Sequence, residues 1–312
     1  MPTNSPALPR RTLSASIAAL ALGALATNAQ SPALFDASLL QLQPEEFTLL
    51  GDVDLDGDTD AIGFLSVGQT LLKSQARVFW NDGSGNLTPG PVLVLPADVG
   101  NQVAYADVDG DGLGDLLVSN TILAGTAGVR VYPGLAGGQF AAPVFLPLPG
   151  NPLALRTGDA NGDGIADLCL LCASGLAQEL RWYAGDPARQ FPLGPPLGLN
   201  LDYRPSMAVL DADGDGDADA ALLNGGSNSV EFVLSAGFVA TAGPIVPLAN
   251  GTLFELALVD FDQDGDQDLV TCRSLASATS IQMLEQQPGG VWQALAPQAL
   301  PNAASGNLFA ND

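Results

Sequence analysis

The chain has 312 residues, 34 of them acidic and 10 basic, with no histidine and three cysteines. A net charge of −24 without a basic patch argues against a nucleic-acid partner, and an odd cysteine count argues against a disulfide framework. Hydrophobic content of 47%, with 36 glycines and 23 prolines, suits a sizeable core made of short strands joined by turns.

Residues 1–29 read as an export signal. Arg10 and Arg11 supply the positive end, and Leu13 to Ala26 form an apolar run too short to span a bilayer comfortably. Thr27-Asn28-Ala29 offers small residues for cleavage after Ala29, and Ala24-Leu25-Ala26 is a second candidate. The arginine pair weakly resembles a twin-arginine signal, but ordinary secretion is favoured. An N-terminal helix of the fold is the competing reading. No later stretch is long and apolar enough for a membrane span. Residues 30–312 are therefore expected outside the cytoplasm, where calcium is abundant enough for weak sites.

Five nine-residue loops follow at a regular period. They run Asp52-Val53-Asp54-Leu55-Asp56-Gly57-Asp58-Thr59-Asp60, then from Asp107 to Asp115, Asp159 to Asp167, Asp211 to Asp219 and Asp260 to Asp268. Their first aspartates are 55, 52, 52 and 49 residues apart, a period that marks blade or solenoid repeats. Side-chain oxygens stand at loop positions 1, 3, 5 and 9. These are Asp52, Asp54, Asp56 and Asp60; Asp107, Asp109, Asp111 and Asp115; Asp159, Asn161, Asp163 and Asp167; Asp211, Asp213, Asp215 and Asp219; and Asp260, Asp262, Asp264 and Asp268. Alternate short carboxylates in a tight loop can converge on one hard divalent cation, most simply calcium, and a glycine at position 6 permits the turn. Of the 34 acids, 19 lie at these positions, and about five bound Ca²⁺ would move the formal charge from −24 to −14. Asp/Gly-rich turns without metal are the competing reading.

Each period divides into four strands. The first precedes the loop: Phe47–Leu50, Gln102–Ala106, Leu153–Thr157, Met207–Leu210 and Phe254–Val259. The second follows it: Ala61–Leu65, Leu116–Ser119, Leu168–Cys172, Ala220–Leu223 and Leu269–Cys272. Each loop is thus expected to be a hairpin connection, not the centre of a helix–loop–helix unit. The third strands carry Arg77, Arg130 and Arg181, with Gln282 in phase; the arginines are expected to be solvated, with a ligand-lining role as the competing reading. Ten residues beyond each comes Leu87, Phe140, Phe191 or Trp292, across a glycine-containing turn. The fourth repeat has Glu231 and then Phe238, a shorter turn. A fourth strand such as Ala141–Leu148 holds Pro143 and Pro147, which places it at a sheet edge. Cys169 and Cys172 have redox-type spacing, but in a strand they point to opposite faces and read as buried, inert thiols.

Repeats start near 47, 102, 153, 206 and 254. Residues 34–43 resemble a lone fourth strand, and 307–312 resemble the approach to a sixth loop. The expectation is a fragment of a longer array or an incomplete gene model.

Five in-phase D-x-[DN]-x-D-G-x-x-D loops, the apolar run after each and the later aromatic–glycine segment resemble the FG-GAP or VCBS-type repeats of integrin-α N-terminal-like β-propellers. The resemblance covers about residues 34–312. It implies an all-β propeller of four-stranded antiparallel blades, here about five with partial ones, an incomplete ring. It places calcium in the hairpin between strands 1 and 2, with the position-7 carbonyls of Asp58, Leu113, Ile165, Asp217 and Asp266 as further ligands. The extra carboxylates of Asp58, Asp217 and Asp266 are expected to be solvated. It also gives residues 34–43 a role in completing the last blade.

The function expected is a secreted calcium-stabilised module that binds an extracellular protein or glycan and is not an enzyme. A structural spacer in a larger surface protein is the alternative, and a polysaccharide lyase is a weaker one. Lys73 is the one lysine, so proton abstraction would fall to arginine, tyrosine or a carboxylate.

Overall fold

The computed structural model describes residues 46–66, 73–96, 99–120, 126–174, 177–199, 203–275 and 278–299. The expected export signal (1–29), the strand expected at 34–43 and the expected approach to a sixth loop (307–312) lie outside these residues.

The described chain is all β. Strands β1 (Glu46–Gly51), β2 (Asp60–Ser66), β3 (Lys73–Asn81) and β4 (Leu87–Val94) pair in sequence order as the first antiparallel sheet. The second sheet contains β5 (Val99–Ala106), β6 (Asp115–Asn120), β7 (Gly128–Tyr132) and β10 (Val144–Pro147). A small extra hairpin, β8 (Gly134–Leu135) with β9 (Gln139–Phe140), stands between its last two strands. The third sheet is β11 (Asn151–Gly158), β12 (Asp167–Ser174), β13 (Ala177–Tyr183) and β14 (Leu197–Leu199). The fourth is β15 (Tyr203–Leu210), β16 (Asp219–Asn224), β17 (Ser229–Ala236) and β18 (Val239–Pro247). The fifth is β19 (Thr252–Val259), β20 (Asp268–Leu275), β21 (Ala278–Gln287) and β22 (Val291–Ala294), with β23 (Gln298–Ala299) also on β21.

The four-strand period and the hairpin position of all five acidic loops match the sequence expectation. The expected strand over Ala141–Leu148 shortens to Val144–Pro147: residues 141–143 form an irregular link from the β8–β9 hairpin, with Ala141 N donating to Pro133 O at 2.8 Å. Pro147 still lies on an edge strand, where its missing N–H breaks no ladder.

The sheets stack face to face in sequence order, and period-2 alternation supplies the contacts. In β6, Leu116 and Val118 join Ile62, Phe64 and Val78 of the first sheet. Leu117, between them, points the other way and packs with Leu155, Leu168 and Leu170 of the third. In β12, Cys169 and Leu171 meet Met207, Ala220 and Leu222 of the fourth sheet. In β16, Ala221 and Leu223 meet Leu256, Leu269 and Leu284 of the fifth. Every residue of β6 and of β16 is buried. Burial on both faces explains why these second strands read as unbroken apolar runs. Each fully buried Leu contributes about 1.5–3 kcal/mol.

Cys169 and Cys172 are buried free thiols in two different core clusters, as opposite-facing strand residues must be. Burial pushes the Cys172 thiol up to about 12, which keeps it protonated and inert. The third-strand arginines depart from expectation. All three are half-buried. Arg130 lies over the Phe145 ring at 5.4 Å, and Arg181 Nε donates to Glu179 Oε1 at 2.8 Å. The heads of Arg130 and Arg181 thus find partners within their own sheets.

Candidate metal centre

The five loops share one internal hydrogen-bond plan. The carboxylate at position 1 folds back over its own loop. In the second loop Asp107 Oδ1 accepts from Gly110 N at 2.7 Å, and Oδ2 accepts from Gly112 N at 2.8 Å. Asp159 and Asp211 repeat this pattern, Asp52 accepts from Asp56 and Gly57, and Asp260 accepts from Gln263. The backbone takes left-handed φ at position 6, where all five loops have glycine, and also at position 4. Position 4 is glycine in three loops but Leu55 (φ 64°) and Gln263 (φ 65°) in the others.

Position 9 is the anchor of each loop. Asp60, Asp115, Asp167, Asp219 and Asp268 are all fully buried. One oxygen of each accepts the position-2 N–H, from Val53, Val108, Ala160, Ala212 and Phe261, at 2.8–3.2 Å. The other accepts an N–H from beyond or within the third strand of the same sheet: Asn81, Gly134, Gly185, Ser235 and Gln286. The residue therefore ties the first hairpin to the second. The regular spacing marks this aspartate, but only the fold reveals its two backbone partners.

In four loops the structure brings carboxylate oxygens from positions 1, 3 and 9 within 4.8 Å of one another. The groups are Asp52, Asp54 and Asp60; Asp107, Asp109 and Asp115; Asp211, Asp213 and Asp219; and Asp260, Asp262 and Asp268. These acidic clusters could hold metal ions. The third loop keeps the plan with Asp159 and Asp167, but Asn161 replaces one carboxylate. The position-5 acids Asp56, Asp111, Asp163, Asp215 and Asp264 are not in these groups. Each accepts the N–H of position 7, at 2.8–3.2 Å, from Asp58, Leu113, Ile165, Asp217 and Asp266.

The extra position-7 carboxylates are not simply solvated. Asp217 Oδ2 accepts from Gly237 N at 3.1 Å, and Asp266 Oδ1 is buried without a hydrogen-bond partner. Asp54, a member of the first cluster, also has a buried and unpartnered Oδ1. A buried carboxylate oxygen lacking a donor is costly unless something else compensates it, so the residues fit a hard cation.

Burial and crowding disfavour ionisation in these clusters. Desolvation first, and the neighbouring carboxylates Asp109 and Asp107 after it, push Asp115 up to about 6 against two opposing N–H bonds. The same causes push Asp167 to about 6 and Asp219 to about 7. Asp54 is raised by desolvation and then by Asp60 and Asp56. Tyr105 packs its ring between Gly51 and Gly114, next to the first two clusters. Burial, aided by the charges of Asp60 and Asp115, pushes its hydroxyl up to about 12.

Neighbouring loops are hydrogen-bonded in series. Ala166 N donates to Asp107 O at 3.3 Å, and Ala218 N donates to Asp159 O at 2.6 Å. In the third and fourth sheets the turn after the third strand also docks on the loop before it, and in the fifth sheet a fourth-strand side chain does so. Asp186 N reaches Val108 O at 2.9 Å, Phe238 N reaches Ala160 O at 3.4 Å, and Trp292 Nε1 reaches Ala212 O at 2.9 Å.

Residues 52–118 match the FG-GAP-like repeat model. A search of curated proteins finds no match. The chain is similar in structure to rhamnogalacturonan lyase YesW, with 15% identity and a TM-score of 0.52 over 78% of this chain and 49% of that one. It also aligns with the V. cholerae biofilm matrix protein Bap1, at 17% identity and a TM-score of 0.41, over 76% of this chain and 36% of that one. The chain thus spans about half the length of the lyase, and likeness at this identity shows a shared fold alone.

Proposed function

We propose that residues 30–312 form a secreted calcium-binding β-propeller, with the five stacked sheets as blades, that binds an extracellular protein or glycan. Residues 1–29 direct its export. The observation that carries this reading is the gathering of carboxylates from the same three loop positions in four separate hairpins. The FG-GAP-like match over residues 52–118 supports it.

In this reading positions 1, 3 and 9 of each loop hold the ion, with Asn161 in the third loop, and the position-5 acids and position-7 carbonyls complete the shell. Bound calcium supplies a double positive charge that offsets carboxylate repulsion. The chain's own part is to aim the oxygens. Position 1 is fixed by the turn amides and position 9 by two backbone N–H groups from different hairpins. Binding to the native loops and not to the unfolded chain raises stability by mass action.

Calorimetric titration of the chain with calcium chloride tests the sites. The expected result is uptake of about five ions and a higher melting temperature, and no uptake overturns the reading. A glycan and protein array, probed with calcium and then with EDTA, tests the binding role. Calcium-dependent capture supports the module, and no capture favours a spacer. Turnover of an acidic polysaccharide would instead favour a lyase, the activity named for YesW. The absence of histidine from the sequence weighs against that outcome.

A further inference from the structure

The second loop differs from the others in what covers it. Arg189, in the turn between β13 and β14, places Nε 2.6 Å from Asp109 Oδ2 and Nη2 3.8 Å from Asp111 Oδ2. Asp109 is a member of the Asp107, Asp109 and Asp115 cluster, and its side chain is only 3% exposed. Its other oxygen accepts Asp111 N at 3.2 Å, so both oxygens are engaged. The equivalent Asp54 of the first loop keeps a buried oxygen with no donor.

The arginine is held there by a built turn. Asp186 caps it, accepting Ala188 N at 2.9 Å and Gln190 N at 2.8 Å on its carboxylate and Arg189 N at 2.7 Å on its carbonyl. Asp186 N is itself fastened to Val108 O in the second loop. The first sheet has the same turn, in which Asp82 accepts Ser84 N and Asn86 N. Where that turn has Gly85 at φ 86°, this one has Arg189 at φ 58°. The corresponding residues of the second and fifth sheets are Gly138 (φ 68°) and Gly290 (φ 71°). A left-handed arginine among glycines carries backbone strain, and such strain persists where the side chain has a task. The position is also suited to reach a cluster: a Cβ on Gly290 would lie 2.7 Å from Asp213 Cα, the same loop position as Asp109.

We propose that Arg189 is a built-in cation of the second loop, a competitor that makes this loop the weakest of the calcium sites and keeps it ordered without metal. The inference rests on the calcium reading above. Its physics is charge compensation: a guanidinium already neutralises part of the cluster, and a calcium ion entering beside it meets a like charge. At about 5 Å, even in a water-like dielectric, that repulsion weakens binding on the order of tenfold.

Hydrogen exchange on the unaltered chain, in EDTA and then in excess calcium chloride, gives the first test. Amides of 107–115 should gain the least protection, while those of 52–60 and 211–219 gain much more. An equal gain at 107–115 overturns the proposal, and no gain at any loop overturns the calcium reading with it. Calorimetry with calcium chloride on Arg189→Gly gives the second. Glycine suits this backbone, so the variant should fold and bind one ion about tenfold tighter. Arg189→Lys should keep the original isotherm. Unchanged or weaker binding in Arg189→Gly overturns the proposal while leaving the other calcium sites standing.

Discussion

The second and fourth loops carry the same ligand phase and the same anchor at position 9, yet they meet their neighbours differently. Asp109 faces a guanidinium, whereas Asp213 faces the bare backbone of Gly290. Desolvation, followed by the charge of Asp215, raises the Asp213 carboxyl above the ordinary range. The difference lies in one residue of a turn about 80 positions away. A repeated loop therefore does not guarantee a repeated site, because the adjoining sheet supplies part of its electrostatics.

Removing the anchors should erase the contrast and give the largest effect. Asp115→Ala and Asp219→Ala each strand two buried backbone N–H groups. Each should cost about 2–5 kcal/mol in urea unfolding, with EDTA present so that metal plays no part. A loss under 1 kcal/mol in either would show that position 9 is not structural.

Overfilling the fourth loop comes next. Gly290→Ala puts a Cβ against the Asp213 backbone at positive φ and should destabilise by about 1–3 kcal/mol. Arg189→Gly in EDTA should instead lower hydrogen-exchange protection at 107–115 alone and shift the melting temperature little, since relief of strain offsets the lost ion pair. Paired melting curves check both.

Proton titration sharpens the comparison without mutation. Folded-state pKa values raised to about 6 at Asp115 and about 7 at Asp219 mean that the native chain binds more protons than the unfolded one between pH 4 and 7. Stability in EDTA should therefore rise as pH falls through that window, with the fourth loop responding at higher pH than the second. Saturating calcium should reverse the slope, because protons then compete with the ion. Melting temperatures across the window, with side-chain carboxyl NMR shifts for each residue, would decide it. The smallest effect is expected at position 4, where Leu55→Gly should gain about 0.5–1 kcal/mol by relieving left-handed strain.

The local features were legible in the sequence. The D-x-D-x-D-G spacing gives the loops, and uninterrupted runs such as Leu116–Ser119 give the doubly buried second strands. Those signals lie within a few residues of one another. Arg189 was not legible, because its turn reads as one more glycine-containing connection and its partners are distant in sequence. The double role of position 9 was hidden for another reason: an aspartate in an acidic cluster looks like a ligand whether or not backbone amides hold it. The glycines at position 4 of three loops were a usable signal of the second left-handed residue, visible beside the position-6 glycine.

The alternation within the interior second strands has an evolutionary consequence. Leu117 serves one adjoining sheet, and Leu116 and Val118 serve the other. Inserting a single residue into such a strand would exchange the two allegiances and misfit both interfaces at once. Length variation in this chain should accumulate in the connections or arrive as whole repeats, which preserves each strand's parity.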